Sequence, residues 1–329
     1  MQAKVRVVIH EGLDPAYPYL VTRRRWRSAI ARYALGDDVQ ARFTYDDTAL
    51  RRALTSADVL VGWKLPLEMV ARAGQGLSWI QVTGAGINRF LPLDWLPEGV
   101  ALTTSSGAQC PTAQSLGMTA LLMLNGRLPE ILDNQRRGIW GQRFSNPIIG
   151  RTVLIVGTGE MGGAIAGGAR RLGMRVLGVS RRGRRRAGFA SVGRPEDLDD
   201  LMPMADVLFL CVPLTAETRG LIGRRKLARL RPGGGLVNFG RAALLDEAAL
   251  IAALRDGHLG GAVLDGYATE PLPAASPLWT TPRLILLPHV ASGEPGVFMD
   301  RSVDILCDNI ARWRAGRPLR NRVSRQHGY

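Results

Sequence analysis

Residues 151–182 read RTVLIVGTGEMGGAIAGGARRLGMRVLGVSRR. An apolar run (153–156) passes into Gly157-Thr158-Gly159-Glu160-Met161-Gly162, then a small-residue segment of helical pattern (163–172), then a second apolar run (176–179). Strand, glycine turn, helix and strand within about thirty residues form the context in which G-x-G-x-x-G binds a dinucleotide. Each glycine has a separate task. Gly157 permits the tight turn, Gly159 lets backbone approach a pyrophosphate, and Gly162 lets helix and strand pack closely. The helix N-terminus offers its free N–H groups and positive dipole to the phosphates.

The second strand ends in Ser180-Arg181-Arg182. An NAD site usually places a carboxylate there for the ribose 2′-hydroxyl. A hydroxyl and guanidinium groups instead suit a 2′-phosphate, which a carboxylate would repel. The reading favours NADP(H), with NAD(H) kept as the weaker option; the competing reading is a solvated arginine loop, since Arg184, Arg185 and Arg186 follow.

A chain of 329 residues exceeds what one core usually organises, so two domains are expected. The formal charge is +15, from 43 basic residues of which only Lys4, Lys64 and Lys226 are lysine, leaving 40 arginines spread along the length. That even spread resembles a compositional habit more than a nucleic-acid face, so no nucleic-acid partner is expected. Cys110, Cys211 and Cys307 lie far apart without C-x-x-C, which argues against a disulfide framework or metal site. The N-terminus reads as a strand rather than a signal peptide, and no apolar run approaches a bilayer span, so a cytoplasmic setting without membrane contact is expected.

Residues 1–106 read as an α/β unit with strands at 5–10, 41–45, 59–62 and 79–83 and helical patterns at 25–35 and 48–56. The last strand runs into Thr83-Gly84-Ala85-Gly86, whose amides could form an anion nest. Thr112 is read as the cap of a helix linking the domains, and 136–147 as irregular. Further strands are expected at 206–212, 235–239, 261–265 and 284–287, with helices at 246–255 and 300–313. Six strands complete a doubly wound sheet. The expected architecture is α/β, two doubly wound parallel-sheet domains with a cleft between them: a substrate (lid) domain at 1–106 and 300–329, flavodoxin-like, and a Rossmann cofactor domain at 107–299.

In such sheets ligands bind beyond the carboxyl ends of the strands. The residues just past each strand are Gly157, Ser180, Pro213, Arg241, Glu270 and His289. A cofactor loop, a guanidinium, a carboxylate and an imidazole are thus aimed at one edge. Of the other histidines, His10, His258 and His327 have no partner identifiable in the sequence and are assigned structural or solvated roles.

The combination resembles the D-2-hydroxyacid dehydrogenase family. Matching pieces are the glycine turn, Cys211-Val212-Pro213-Leu214-Thr215 with Glu217-Thr218, Asn238-Phe239-Gly240-Arg241 with Asp246-Glu247, residues 261–265 through Glu270-Pro271-Leu272-Pro273, and Pro288-His289. The resemblance implies a nicotinamide cofactor held by the glycine turn, Ser180, Arg181, Arg182, Val212, Pro213, Thr218, Phe239, Gly240 and Asp265. It implies a catalytic Arg241, Glu270 and His289, with Ala85 and Gly86 holding the substrate carboxylate beside Arg241 and His289. Trp140 matches a tryptophan that in some members reaches the partner subunit. Residues 276–279 and the ending at 327–329 are similar to the bacterial glyoxylate/hydroxypyruvate reductase branch. Ala242-Ala243 departs from the Gly-Gly that many members carry after the arginine.

The implied activity is NADPH-dependent reduction of 2-oxo acids, glyoxylate- or hydroxypyruvate-like or larger, to D-2-hydroxy acids by a homodimer joined through its cofactor domains. His289 donates the proton, since histidine titrates near neutral pH. The alternative is a nucleotide-sensing, corepressor-like interaction protein on the same scaffold. Formate dehydrogenase chemistry is disfavoured, since those relatives carry glutamine where Glu270 stands.

Overall fold

The computed structural model describes residues 4–11, 18–291 and 293–328. The chain forms two compact units, Met1–Gln109 with Gly293–Tyr329, and Cys110–Ser292. In the first, β1 (Val5–His10), α1 (Arg23–Arg32), β2 (Val39–Thr44), α2 (Asp47–Leu54), β3 (Val59–Gly62), α3 (Leu67–Ala73), β4 (Trp79–Val82) and β5 (Ala101–Thr103) follow in order. All strands are parallel, in the order β2-β1-β3-β4-β5, the flavodoxin-like arrangement. The helices start where side chains satisfy free amides: Thr22 accepts from the Arg25 amide at 3.2 Å and Asp46 from that of Ala49 at 2.8 Å. The Thr22 cap sets α1 two residues before its expected start, and pairing of Val39 with Val5 likewise lengthens β2.

The second unit comprises α4 (Cys110–Asn125), α5 (Leu128–Arg136), β6 (Thr152–Val156), α6 (Glu160–Arg171), β7 (Arg175–Val179), β8 (Ser191–Gly193), α7 (Leu198–Leu201), β9 (Val207–Leu210), α8 (Arg224–Leu227), β10 (Gly234–Asn238), α9 (Glu247–Arg255), β11 (Leu259–Leu264) and β12 (Leu284–Leu286). Its parallel sheet has seven strands, not the expected six, ordered β12-β11-β10-β9-β6-β7-β8. The extra strand, β8, pairs only Ser191, Val192 and Gly193 with β7 at the sheet edge. Thr112 does not cap α4, because the helix already begins at Cys110; Pro111 is tolerated there because first-turn amides have no intrahelical acceptor. The chain then returns to the first unit through α10 (Pro295–Arg314), which packs on α1. Glu294 accepts from the amides of Gly296 and Val297, which starts α10 five residues earlier than the apolar pattern indicates.

Parallel strands covered on both faces read as continuous apolar runs. In β6, Val153 and Ile155 enter one core while Leu154 and Val156 enter the opposite one, all nearly inaccessible. Truncating such a residue to alanine typically destabilises by about 2–5 kcal/mol. Strand order reverses between β6 and β9, so the switch point lies beyond Val156 and Leu210. That position is where an open α/β sheet leaves a crevice for a ligand.

Candidate active site

β6 delivers the chain into the turn at Gly157, whose φ is +102°; a Cβ there would lie 2.7 Å from the Cys211 carbonyl oxygen. A Cβ on Gly162 would lie 1.9 Å from the Gly157 carbonyl oxygen, so helix and turn touch backbone to backbone. Gly159 is different: it is the N-cap of α6, no side chain caps that end, and an added Cβ would meet nothing within 4 Å. Uncapped amides facing open space fit the pyrophosphate of a dinucleotide, by the geometry of free N–H groups and by the sign of the helix dipole.

Around this turn the expected cofactor residues occupy distinct positions. Val212 packs against Gly157, and its carbonyl approaches Gly240. Thr218 donates its hydroxyl to the Pro213 carbonyl at 2.7 Å, closing its own loop. Phe239 is buried edge-to-face on Phe209, and its amide donates to the Leu210 carbonyl at 3.1 Å. Ser180 and Gly183 close a tight turn after β7, with Arg181 and Arg182 exposed. Arg186, which the competing reading places in a solvated loop, folds back on the glycine turn: it donates to the Thr158 carbonyl and pairs with Glu160 at 3.2 Å.

The strand ends β10, β11 and β12 carry the remaining groups. Asn238, buried at the end of β10, accepts from the Gly240 amide at 2.9 Å and donates to the Arg241 carbonyl at 3.0 Å, which shapes the arginine loop. Ala242 and Ala243 follow in a 3-10 turn without positive φ, so the departure from Gly-Gly introduces no backbone strain. Glu270 Oε2 lies 2.8 Å from His289 Nδ1, and Glu270 Oε1 accepts from the Tyr267 amide at 2.9 Å. Burial pushes the Glu270 carboxyl up, but the His289 hydrogen bond, the Tyr267 amide and the charges of His289 and Arg241 outweigh it and hold the group below the ordinary carboxylate range. His289 adopts φ +56° and is half exposed; among the described residues its Nε2 has no protein partner.

Asp265 accepts from the amides of Val290 at 2.7 Å and Ala291 at 2.9 Å, so both its oxygens clamp the segment beyond His289. Burial pushes its carboxyl above the usual range, against those amides. These bonds place Asp265 in the support of the histidine loop, a role its expected cofactor contact did not anticipate.

In the first unit, Ala85 and Gly86 follow β4, and among the described residues no acceptor takes up their amides. The loop is fixed from below: the Ser105 amide donates to the Gly84 carbonyl at 2.9 Å, and the Trp63 ring covers Gly84 so closely that a Cβ would fall 2.2 Å from it. Of the remaining histidines, buried His10 meets Thr44 Oγ1 at 3.1 Å, His258 meets the Leu227 carbonyl at 3.0 Å and the His327 amide donates to Ser324. Each thus has a partner that sequence alone did not reveal, in keeping with structural roles.

Residues 118–291 match the family model described as "D-isomer specific 2-hydroxyacid dehydrogenase, NAD binding domain". The chain is 31% identical over 317 residues to glyoxylate/hydroxypyruvate reductase B of Pectobacterium carotovorum, covering 91% of this chain and 98% of that protein. It belongs to the D-isomer specific 2-hydroxyacid dehydrogenase family.

Solved structures agree. A D-isomer specific 2-hydroxyacid dehydrogenase of Xanthobacter autotrophicus, in complex with NADPH and MES, aligns with TM-score 0.82 and 29% identity over 99% of this chain and 100% of that one. An NADPH-dependent glyoxylate/hydroxypyruvate reductase of Sinorhizobium meliloti, in complex with NADP and sulfate, aligns with TM-score 0.79 and 25% identity over the same shares. This dehydrogenase therefore has the two parallel-sheet α/β units of its family. Among its described residues no helix is long and apolar enough to cross a membrane.

Proposed function

We propose that this dehydrogenase reduces 2-oxo acids to D-2-hydroxy acids with NADPH, with glyoxylate- and hydroxypyruvate-like acids as the substrate class. The observation that carries the reading is the 2.8 Å pairing of Glu270 with His289 at the sheet edge that also bears Arg241. The names of the Pectobacterium and Sinorhizobium proteins support it. So do the hydroxyl and guanidinium groups of Ser180, Arg181 and Arg182, which suit a 2′-phosphate.

When bound, the nicotinamide supplies hydride chemistry. Gly157 to Gly162 and the N-terminus of α6 hold the phosphates, and the neighbouring loops at Val212, Pro213, Thr218, Phe239, Gly240 and Asp265 border that site. Arg241 binds the substrate carboxylate and carbonyl oxygen and stabilises negative charge developing on that oxygen. The amides of Ala85 and Gly86, for which no acceptor is found among the described residues, suit a carboxylate. His289 gives the carbonyl oxygen a proton from Nε2, while Glu270 on Nδ1 fixes the orientation of the ring. The exposed apolar stretch Ile139, Trp140, Phe144 and Ile149, with Trp140 92% accessible, supports a homodimer contact from this unit.

The test is steady-state kinetics with glyoxylate, hydroxypyruvate, pyruvate and phenylpyruvate, each with NADPH and NADH. Turnover with NADPH is expected, and His289→Asn is expected to lower it by roughly 10²–10⁴-fold, the usual worth of general acid catalysis. Arg241→Lys is expected to lower kcat/KM by about 10²–10³-fold while NADPH still binds. Unchanged rates in both variants would overturn the reading.

A further inference from the structure

Tyr267 stands between the two loops that carry Glu270 and His289, and it bonds to both. Its amide donates to Glu270 Oε1 at 2.9 Å. Its hydroxyl donates to the Leu287 carbonyl at 2.9 Å and lies 3.2 Å from the Leu264 carbonyl. The Leu287 carbonyl is also the acceptor of the His289 amide, at 2.9 Å. One carbonyl thus joins the tyrosine hydroxyl to the backbone of the histidine, while the same tyrosine's amide holds the glutamate.

The arrangement is directional. Glu270 has two oxygens: one faces the imidazole and the other is occupied by Tyr267. Glu270 therefore cannot rotate its carboxylate without breaking the Tyr267 bond. The tyrosine ring packs against the hydrophobic core that includes Leu264 and Leu278, which limits where its hydroxyl ends. Burial, with the carboxylates of Asp265 and Glu270 nearby, pushes the phenol up to about 12, so it remains a donor across the working pH range.

We propose that Tyr267 is a positioning residue for the reaction, acting through the hydroxyl that locks the Glu270 loop onto the strand end preceding His289. It touches no reacting atom. Its contribution is to hold the carboxylate–imidazole pair in the geometry that aims Nε2, and it rests on the roles given to Glu270 and His289 above. Misplacement of a catalytic group by about an ångström can lower rates by up to about 10²-fold. Removal of this one hydroxyl should therefore register in kcat rather than in cofactor affinity.

Tyr267→Phe removes the hydroxyl and keeps both the ring and the amide. In the full-length enzyme with glyoxylate and NADPH, kcat is expected to fall roughly ten- to a hundredfold. NADPH affinity, read by nicotinamide fluorescence, should be unchanged and the melting temperature should stay within a few degrees. In a Glu270→Gln background the same replacement should add little, because residues that act as a unit are non-additive. A wild-type kcat in Tyr267→Phe, or a full multiplicative loss in the Glu270→Gln background, would overturn the proposal. His289→Asn separates this from the reading beneath it: wild-type turnover in that variant removes the assigned chemistry, whereas an inactive His289→Asn beside an unimpaired Tyr267→Phe removes only the role of the tyrosine.

Discussion

Glu270 and His289 are nineteen residues apart in the chain, on the returns after β11 and β12, and their side chains meet at 2.8 Å between Oε2 and Nδ1. The two strands that launch them are parallel neighbours, paired from Ala262–Leu284 to Leu264–Leu286. Pairing of the side chains follows from that register: chains leaving adjacent strand ends emerge on the same edge of the sheet. The glutamate is held from its other side by the Tyr267 amide, so the imidazole meets a carboxylate with one free direction.

Glu270→Gln keeps the shape and removes the charge. Its kcat/KM is expected to fall about ten- to a hundredfold at neutral pH, as measured by initial rates. The pH dependence has a definite sign. Because the folded carboxyl sits below its ordinary range, the carboxylate persists on acidification and is lost only as pH falls through that depressed value. The wild-type acid limb should therefore begin below the usual glutamate region near 4.3, and that contribution should be absent from the variant's profile.

Ser180→Asp tests the cofactor preference. A carboxylate at the end of β7 would accept from a ribose hydroxyl and repel a 2′-phosphate. Loss of one charge-assisted contact, about 1.5–3 kcal/mol, corresponds to a shift of roughly ten- to a hundredfold in the ratio of kcat/KM for NADPH over NADH. An unchanged ratio would show that the turn after β7 does not read the phosphate.

Gly162→Ala sets helix propensity against packing. Alanine is favoured over glycine by about 1 kcal/mol inside a helix, but its Cβ would lie 1.9 Å from the Gly157 carbonyl oxygen. Overpacking of that kind destabilises by roughly 1–3 kcal/mol, so packing should dominate. The expected outcome is a lower melting temperature, together with weaker NADPH binding as the turn is pushed open.

Glu11 lies buried past the end of β1 and accepts from the Val21 amide at 2.8 Å. Burial, only partly countered by that amide, pushes its carboxyl up to about 7. Between the ordinary carboxylate range and that value, the unfolded chain loses a proton the folded chain retains, so stability falls as pH rises through the window and levels off above it. The loss is on the order of 3 kcal/mol. Glu11→Gln should therefore melt higher than wild type at pH 8 and show little advantage at pH 5, by thermal denaturation across that range.

The long parallel strands were legible because each is an unbroken apolar run. Residues 153–156, 207–210 and 59–62 had no competing reading. The elements that escaped were short or defined by partners: β5 and β8 have three residues each, and α3 has seven. The strand-end positions of Arg241, Glu270 and His289 were legible from the apolar runs that precede them. Arg186 and Tyr267 were not, because what singles them out is a carbonyl supplied by chain twenty or more residues away. Thr112 has a cap's chemistry in the wrong place, two residues inside a helix that begins at Cys110.

His289 itself sits at a backbone angle of φ +56°, a region that asparagine visits with little strain and alanine does not. An alanine there would add a conformational penalty of roughly 1–2 kcal/mol to the loss of the imidazole, blending a folding defect with a chemical one. Asparagine separates them, and an enzyme silenced that way should keep its loop intact. Such a protein would be the natural vehicle for trapping an unreacted oxo acid beside reduced nucleotide.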